Sequence, residues 1–194
     1  MSPITHLLAS WLIAAKAMDN SRDCRLVTLA GLAPDLDGLG LISDIVTHFT
    51  SSRPTTFYQT YHHYAFHGLL AALIVSVSAA LLARNRLRVF LFALLVFHLH
   101  LLCDLIGSRG PDPEDLWPIF YFGPFTRDPM WIWGGQWPLD AWPNRGITIV
   151  LFLGTLLLAI RWGHSVVGVF NVRADAVFIG VLRKWQAALA RKQL

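Results

Sequence analysis

Two stretches of the chain, 68–83 and 89–103, contain no Asp, Glu, Lys or Arg, and the basic cluster RNRLR separates them. This pattern predicts a helical hairpin with a positive turn at Arg84, Arg86 and Arg88. A third apolar run, 147–160, ends at Arg161. At about 1.5 Å of rise per residue these runs are slightly short for a hydrocarbon core of about 30 Å, so their ends must recruit flanking aromatic or polar residues. Two further apolar segments, THLLASWLIAAKAM at 5–18 and LVTLAGLA at 26–33, are too short to span unaided. They are expected as short helices packed within the bundle, with Lys16, Arg22, Asp23 and Arg25 between them. The tail, 166–194, mixes apolar residues with Arg173, Arg183, Lys184, Arg191 and Lys192 and carries Trp185, which predicts an amphipathic helix on a membrane surface.

Composition strengthens this picture. Hydrophobic residues make up 55% of the 194 and charged residues only 14%, whereas a soluble domain carries about 25% charged residues. The mean hydropathy is +0.49. The expected fold class is therefore all-α, a multi-pass transmembrane helical bundle. Residues 1–163 form the membrane-embedded domain and 164–194 a basic amphipathic tail. A net charge of +4 raises nucleic acid as a partner, but the basic residues flank apolar segments or lie in the tail, so membrane lipids are expected and no specific nucleic acid is. Cys24 and Cys103 have neither metal-finger spacing nor the density of a disulfide scaffold. The AKA at 15–17 looks like a signal-peptide cleavage site, but MSPITH lacks the usual positive charge, and the first helix is read as retained.

The positive-inside rule assigns the Arg84 to Arg88 turn and the tail to the cytoplasm. The loop 108–146 then lies outside. It holds Trp117, Trp131, Trp133, Trp137 and Trp142 among prolines and glycines, as expected of an aromatic segment anchored at headgroup level.

Ionisable groups at membrane depth are costly unless paired, solvated or metal-bound, which makes each one a functional hypothesis. His100 and Asp104 are four apart, about one turn on one helix face, the spacing with which one helix offers a nitrogen and an oxygen to one metal. His98 is two positions from His100, points nearly the opposite way and is read as packing. In YHHYAFHGLL, His63 and His67 would share a face of a regular helix, whereas His62 converges with His67 only from a preceding loop. In LAPDLDG, Pro34 opens a turn from which Asp35 and Asp37 project. His6 alone reads as a surface or capping residue. All these groups fall on one expected side of the membrane, however, and a His/Asp set with few cysteines suits zinc, or manganese and iron less specifically. The candidate ligands exceed what one tetrahedral zinc needs.

The order of these motifs resembles the inner-membrane-bound, metal-dependent hydrolases described as LexA-regulated, the YdjM-like family. The resemblance runs through Thr5-His6-Leu7-Leu8, Ala33-Pro34-Asp35-Leu36-Asp37, His62-His63-Tyr64-Ala65-Phe66-His67, His100 to Asp104 and Leu116-Trp117-Pro118. It implies His6, Asp35, His62, His67, His100 and Asp104 as metal ligands, preferring His62 over His63. Gly38, His63 and Gly68 depart from the family's usual His, Arg and Ser, and the loss of the Arg removes a phosphate clamp. The family is also distantly similar to the zinc-dependent phospholipase C and P1 nuclease group, which cleaves phosphoesters.

The resulting expectation is a bacterial inner-membrane enzyme, a metal-dependent hydrolase acting on a phosphoester, including one in a lipid, at the extracytoplasmic face. Asp35 and Asp37 are its expected catalytic carboxylates, with Asp37 orienting or deprotonating the water. The alternative is a non-catalytic metal-binding or transport membrane protein.

Overall fold

In the computed structural model, which describes residues 1–51, 53–64 and 66–191, the chain is helical, with eight α-helices and no strand among the described residues. The helices are α1 (Pro3–Ala17), α2 (Ser21–Ala30), α3 (Gly40–Thr50), α4 (Phe57–Tyr61), α5 (Leu69–Leu82), α6 (Arg86–Gly107), α7 (Trp142–Trp162) and α8 (Val172–Arg191). Short 3-10 helices cover Ala33–Leu39 and Val166–Val169. Ala65 of the histidine motif and Lys192 of the tail lie outside the described residues.

Two helices, α6 and α7, are long and apolar enough to cross a membrane, and the pair formed by α2 and Ala33–Thr50 is a third candidate, bent by 51°. The first arm of the expected hairpin is shorter than that. Helix α5 has 14 residues, about 21 Å of helix, because Gly68 leaves the helix in extended backbone and Ala83 closes the other end. The N-terminal segments are helices as expected, yet Arg22, Asp23 and Arg25 belong to the first turns of α2 rather than to a loop. Helix α3 was not foreseen. Trp142 to Gly146 form the first turn of α7, with Pro143 where a missing N–H costs nothing.

The α5–α6 turn is fastened from α2. Asp23, buried, accepts hydrogen bonds from the backbone N–H groups of Arg84 (2.8 Å) and Asn85 (2.9 Å). Asn85 in turn accepts from the N–H of Arg88 and caps α6. From this turn α6 runs through a core of Trp11, Val27, Val89, Ala93 and Val96 and then a second cluster with Ala72, Phe97, Leu101 and Ile119. Its far end carries His100 and Asp104. The tail packs on the body through Arg25 Nε, which donates to the Gly168 carbonyl at 2.9 Å, and through Ile179 and Leu182 of α8 against Ala159 of α7. Val177, Val181, Trp185 and Leu189 of α8 remain exposed.

Candidate metal centre

Four segments distant in sequence meet at the C-terminal end of α6: α1, the 3-10 helix Ala33–Leu39, the stretch carrying His62, His63 and His67, and α6 itself. Asp104, 2% exposed, is their meeting point. Its Oδ1 lies 3.1 Å from His6 Nε2 and accepts from Ser108 Oγ at 2.9 Å, and the Met1 amino group contacts the same oxygen. Its Oδ2 faces three imidazoles, with Nε2 of His100 at 2.9 Å, of His67 at 3.3 Å and of His63 at 3.9 Å. His6 is therefore a buried residue of the cluster and not the surface or capping group that its position alone suggests. Its ring stacks on that of His100, with centroids 3.6 Å apart.

His100 is oriented by a backbone carbonyl. Its Nδ1 lies 2.8 Å from Gly31 O, an acceptor only, so Nδ1 carries the proton and Nε2 the lone pair. Gly31 permits this approach: a Cβ there would sit 2.0 Å from Ser10 Oγ. Helix α2 therefore ends close enough to α1 and α6 for its carbonyl to reach the ring.

Asp37 holds the second pair of histidines. Its Oδ1 is 2.7 Å from His62 Nδ1 and its Oδ2 is 2.9 Å from His67 Nδ1, while the N–H of Phe66 donates to Oδ2 at 3.2 Å. Carboxylates bonded to the second nitrogen of a ligating histidine fix its tautomer and orientation. Asp35, on the same 3-10 helix, is placed differently. Its Oδ1 is 3.8 Å from His100 Nε2, and its Oδ2 is buried without a hydrogen-bond partner.

The helical reading of YHHYAFH gives way to a turn. His63 has φ of 65°, in the left-handed region that non-glycine residues rarely occupy. The backbone reversal there brings both His62 and His63 onto the cluster, with ring centroids 4.5 Å apart. His63 is buried, and its Nδ1 has no partner among the described residues. Preferring His62 over His63 is thus unnecessary, since the turn supplies both.

This donor set fits a cation. Nε2 of His100 and Oδ2 of Asp104 are close but not aligned as a hydrogen bond, and Nε2 is left unpartnered. Of the six buried side-chain polar atoms without a partner among the described residues, three belong here: His100 Nε2, His63 Nδ1 and Asp35 Oδ2. Such atoms are costly in a sealed interior unless a ligand completes them. Three overlapping groups have all their ligand atoms within 4.8 Å of one another: His6, His100 and Asp104; His63, His67 and Asp104; Asp37, His62 and His67. Burial alone would lower the pKa of His67, but its bonds to Asp104 and Asp37 outweigh that and raise it to about 9. Burial pushes the pKa of His63 well down, with the His67 charge acting in the same direction.

A cavity of about 620 Å³ opens directly onto these residues. Asp35, His62, His63 and Asp104 form its floor, and Tyr58 and Trp117 stand in its wall. Trp117 packs edge-on to both His62 and His63, with centroids 5.4 and 5.2 Å away, so it belongs to the site rather than to a membrane-anchoring belt. Trp131, Trp133 and Trp142 are exposed. Gln136 ties this loop to α6: its amide Nε2 donates to the carbonyls of Leu105 (3.1 Å) and Trp117 (3.0 Å), and its Oε1 accepts from the Trp117 N–H. His98 is satisfied elsewhere, between the Leu94 carbonyl (2.8 Å) and the Tyr121 hydroxyl (2.9 Å).

Sequence reasoning passed over Ser108, Arg109 and Gln136. Ser108 follows Asp104 at one helical turn, a signal that spacing contained. The other two are brought to the site by the loop.

A family model described as YdjM inner membrane protein matches residues 1–181. No curated protein and no solved structure matches, so the distant likeness to zinc-dependent phospholipase C and P1 nuclease finds no counterpart in these comparisons.

Proposed function

The chain belongs to the YdjM inner membrane protein family, and from that premise we propose that it is a multi-pass, membrane-bound, metal-dependent hydrolase. Its substrate is a phosphoester, including one carried by a lipid, presented at the extracytoplasmic face. The observation that carries this reading is the buried His/Asp cluster, with His100 Nε2 and Asp35 Oδ2 unpartnered among the described residues, four of whose members, Asp35, His62, His63 and Asp104, line a cavity large enough for a headgroup.

His6, His100 and Asp104, together with His63 and His67, would hold a divalent metal, zinc first by donor type, with manganese or iron as alternatives. When bound, the metal supplies a water whose pKa falls toward about 7 and polarises a phosphoryl oxygen. The protein's own residues do the rest. Asp37, with both oxygens engaged, orients His62 and His67. Asp35, which lines the cavity and whose Oδ2 has no partner among the described residues, would serve as the base for the attacking water. Trp117 and the loop held by Gln136 limit access of bulk water from that side.

Orientation follows from charge. Arg84, Arg86 and Arg88 lie at the opposite end of α6 from Asp104, so the positive-inside rule directs the cluster outward.

The test is elemental analysis of detergent-purified protein, wild type beside His100→Ala and Asp104→Ala, followed by assay of headgroup or phosphate release from a lipid panel. Wild type without metal under metal-replete conditions overturns the reading. Bound metal with no release across the panel favours the non-catalytic metal-binding or transport alternative.

A further inference from the structure

Arg109, two residues beyond α6, lines the same cavity as Asp35, His63 and Asp104. Its position is held at several points. The backbone N–H donates to the Trp137 carbonyl (3.2 Å), the carbonyl accepts from the Leu139 N–H (2.9 Å), and the side-chain Nε donates to the Gln136 carbonyl (3.0 Å). The charged end has no such partner. Nη1 is enclosed without an acceptor, and among the described residues no carboxylate pairs with the guanidinium.

Among the described residues none of the acids sharing the cavity forms an ion pair with Arg109. Asp140 pairs with Arg145 at 3.8 Å, Asp104 is surrounded by histidines, and the Asp115 carboxylate lies over Gly110, where a Cβ would be 1.7 Å from its Oδ2. Asp35 is the remaining acid, and its Oδ1 lies 3.8 Å from Nε2 of His100.

A guanidinium stays charged at any accessible pH, and enclosing one of its nitrogens, here Nη1, without an acceptor is costly. An anion entering the cavity supplies the missing acceptor. The planar fork of donors suits the paired oxygens of a phosphate better than a spherical anion.

We infer that Arg109 is the anion-recognition residue of this cavity, binding the phosphate group of the ligand that reaches the His/Asp cluster. The choice of phosphate rests on the hydrolase reading above; the unpartnered Nη1 of Arg109 and the cavity exist independently of any metal. A phosphorylated lipid headgroup and free phosphate present the same oxygens to Arg109.

The experiment measures binding of labelled inorganic phosphate and of dihexanoyl phosphatidate to full-length, detergent-purified protein, with and without added zinc, and metal content in parallel. Wild type, Arg109→Gln and Arg109→Lys are compared. Arg109→Gln is expected to weaken phosphate binding at least tenfold with metal content unchanged, and Arg109→Lys to fall between, because it keeps the charge and loses the fork. Tighter binding of the phosphatidate assigns the site to a lipid headgroup, and equal binding assigns it to free phosphate. Affinity of Arg109→Gln within twofold of wild type overturns the inference, as does a wild type that binds neither probe. Should Arg109→Gln not fold, an Arg109→Lys affinity equal to wild type overturns it. Arg109-dependent phosphate binding in protein that takes up no zinc supports the inference and defeats the hydrolase reading; zinc without phosphate binding does the reverse.

Discussion

Nε2 of His100 stands 2.9 Å from Oδ2 of Asp104 without forming a hydrogen bond to it. The Gly31 carbonyl holds the proton on the opposite side of the ring, so an acceptor nitrogen and a carboxylate oxygen share a space that a cation completes. The consequences can be measured.

Gly31→Ala places a Cβ 2.0 Å from Ser10 Oγ, which pushes the carbonyl away from His100. Overpacking of this kind costs about 1–3 kcal/mol, and loss of an orienting partner lowers metal affinity about 10–100-fold. Thermal unfolding and zinc titration of the detergent-solubilised protein measure both. Adding Ser10→Gly to the same chain should recover most of each loss, and a double variant no better than Gly31→Ala would show that the crowding is elsewhere.

His63 combines a candidate metal ligand with a left-handed backbone. Both His63→Ala and His63→Gly remove the imidazole and are expected to lose metal alike. They should differ in stability, with the glycine variant the more stable by about 1 kcal/mol, since only glycine adopts φ of this sign freely. Equal melting temperatures would count against the turn.

His67, with its pKa raised to about 9 by Asp37 and Asp104 against the opposing effect of burial, carries a proton in the metal-free protein at neutral pH. Metal must displace that proton, so metal affinity rises with pH up to about 9 and levels off above it. The raised pKa also stabilises the metal-free fold, fully so below the unfolded value of about 6.5 and no longer once pH passes about 9. Calorimetric zinc titrations in buffers of different ionisation enthalpy should report proton release, and no release at pH 7 would contradict the protonated state.

Asp23 serves as the control at the other end of α6. Asp23→Ala leaves the N–H groups of Arg84 and Asn85 without their carboxylate acceptor, at about 1 kcal/mol for each part-buried hydrogen bond lost. Stability should fall while zinc stoichiometry stays at the wild-type value. A loss of zinc in folded Asp23→Ala would show that the two ends of α6 are coupled.

Orientation is open to labelling. With Cys24 and Cys103 replaced by alanine, a cysteine at exposed Glu114 should react with an impermeant maleimide from the periplasmic side, and one at exposed Arg86 only from the cytoplasm. The reverse pattern would place the cluster inside.

Much of this molecule follows from local order along the chain. Uninterrupted apolar runs between basic clusters give α6 and α7, because a helix satisfies its own backbone where water is absent. Four-residue spacing puts His100 and Asp104 on one face, and the His and Asp identities supply metal-ligand chemistry before any fold is known. Periodicity relates positions only within one element, however, and it is silent on which elements meet. Gly31 facing His100, Asp37 joining His62 to His67, and the loop that brings Trp117 and Arg109 to the cavity are non-local contacts set by packing. His63 makes the same point most sharply. Helical phase puts His63 and not His62 on the face of His67 and leaves His62 to a preceding loop, and a left-handed φ at His63 brings both to the cluster, because tertiary contacts determine a turn's dihedrals and sequence spacing does not.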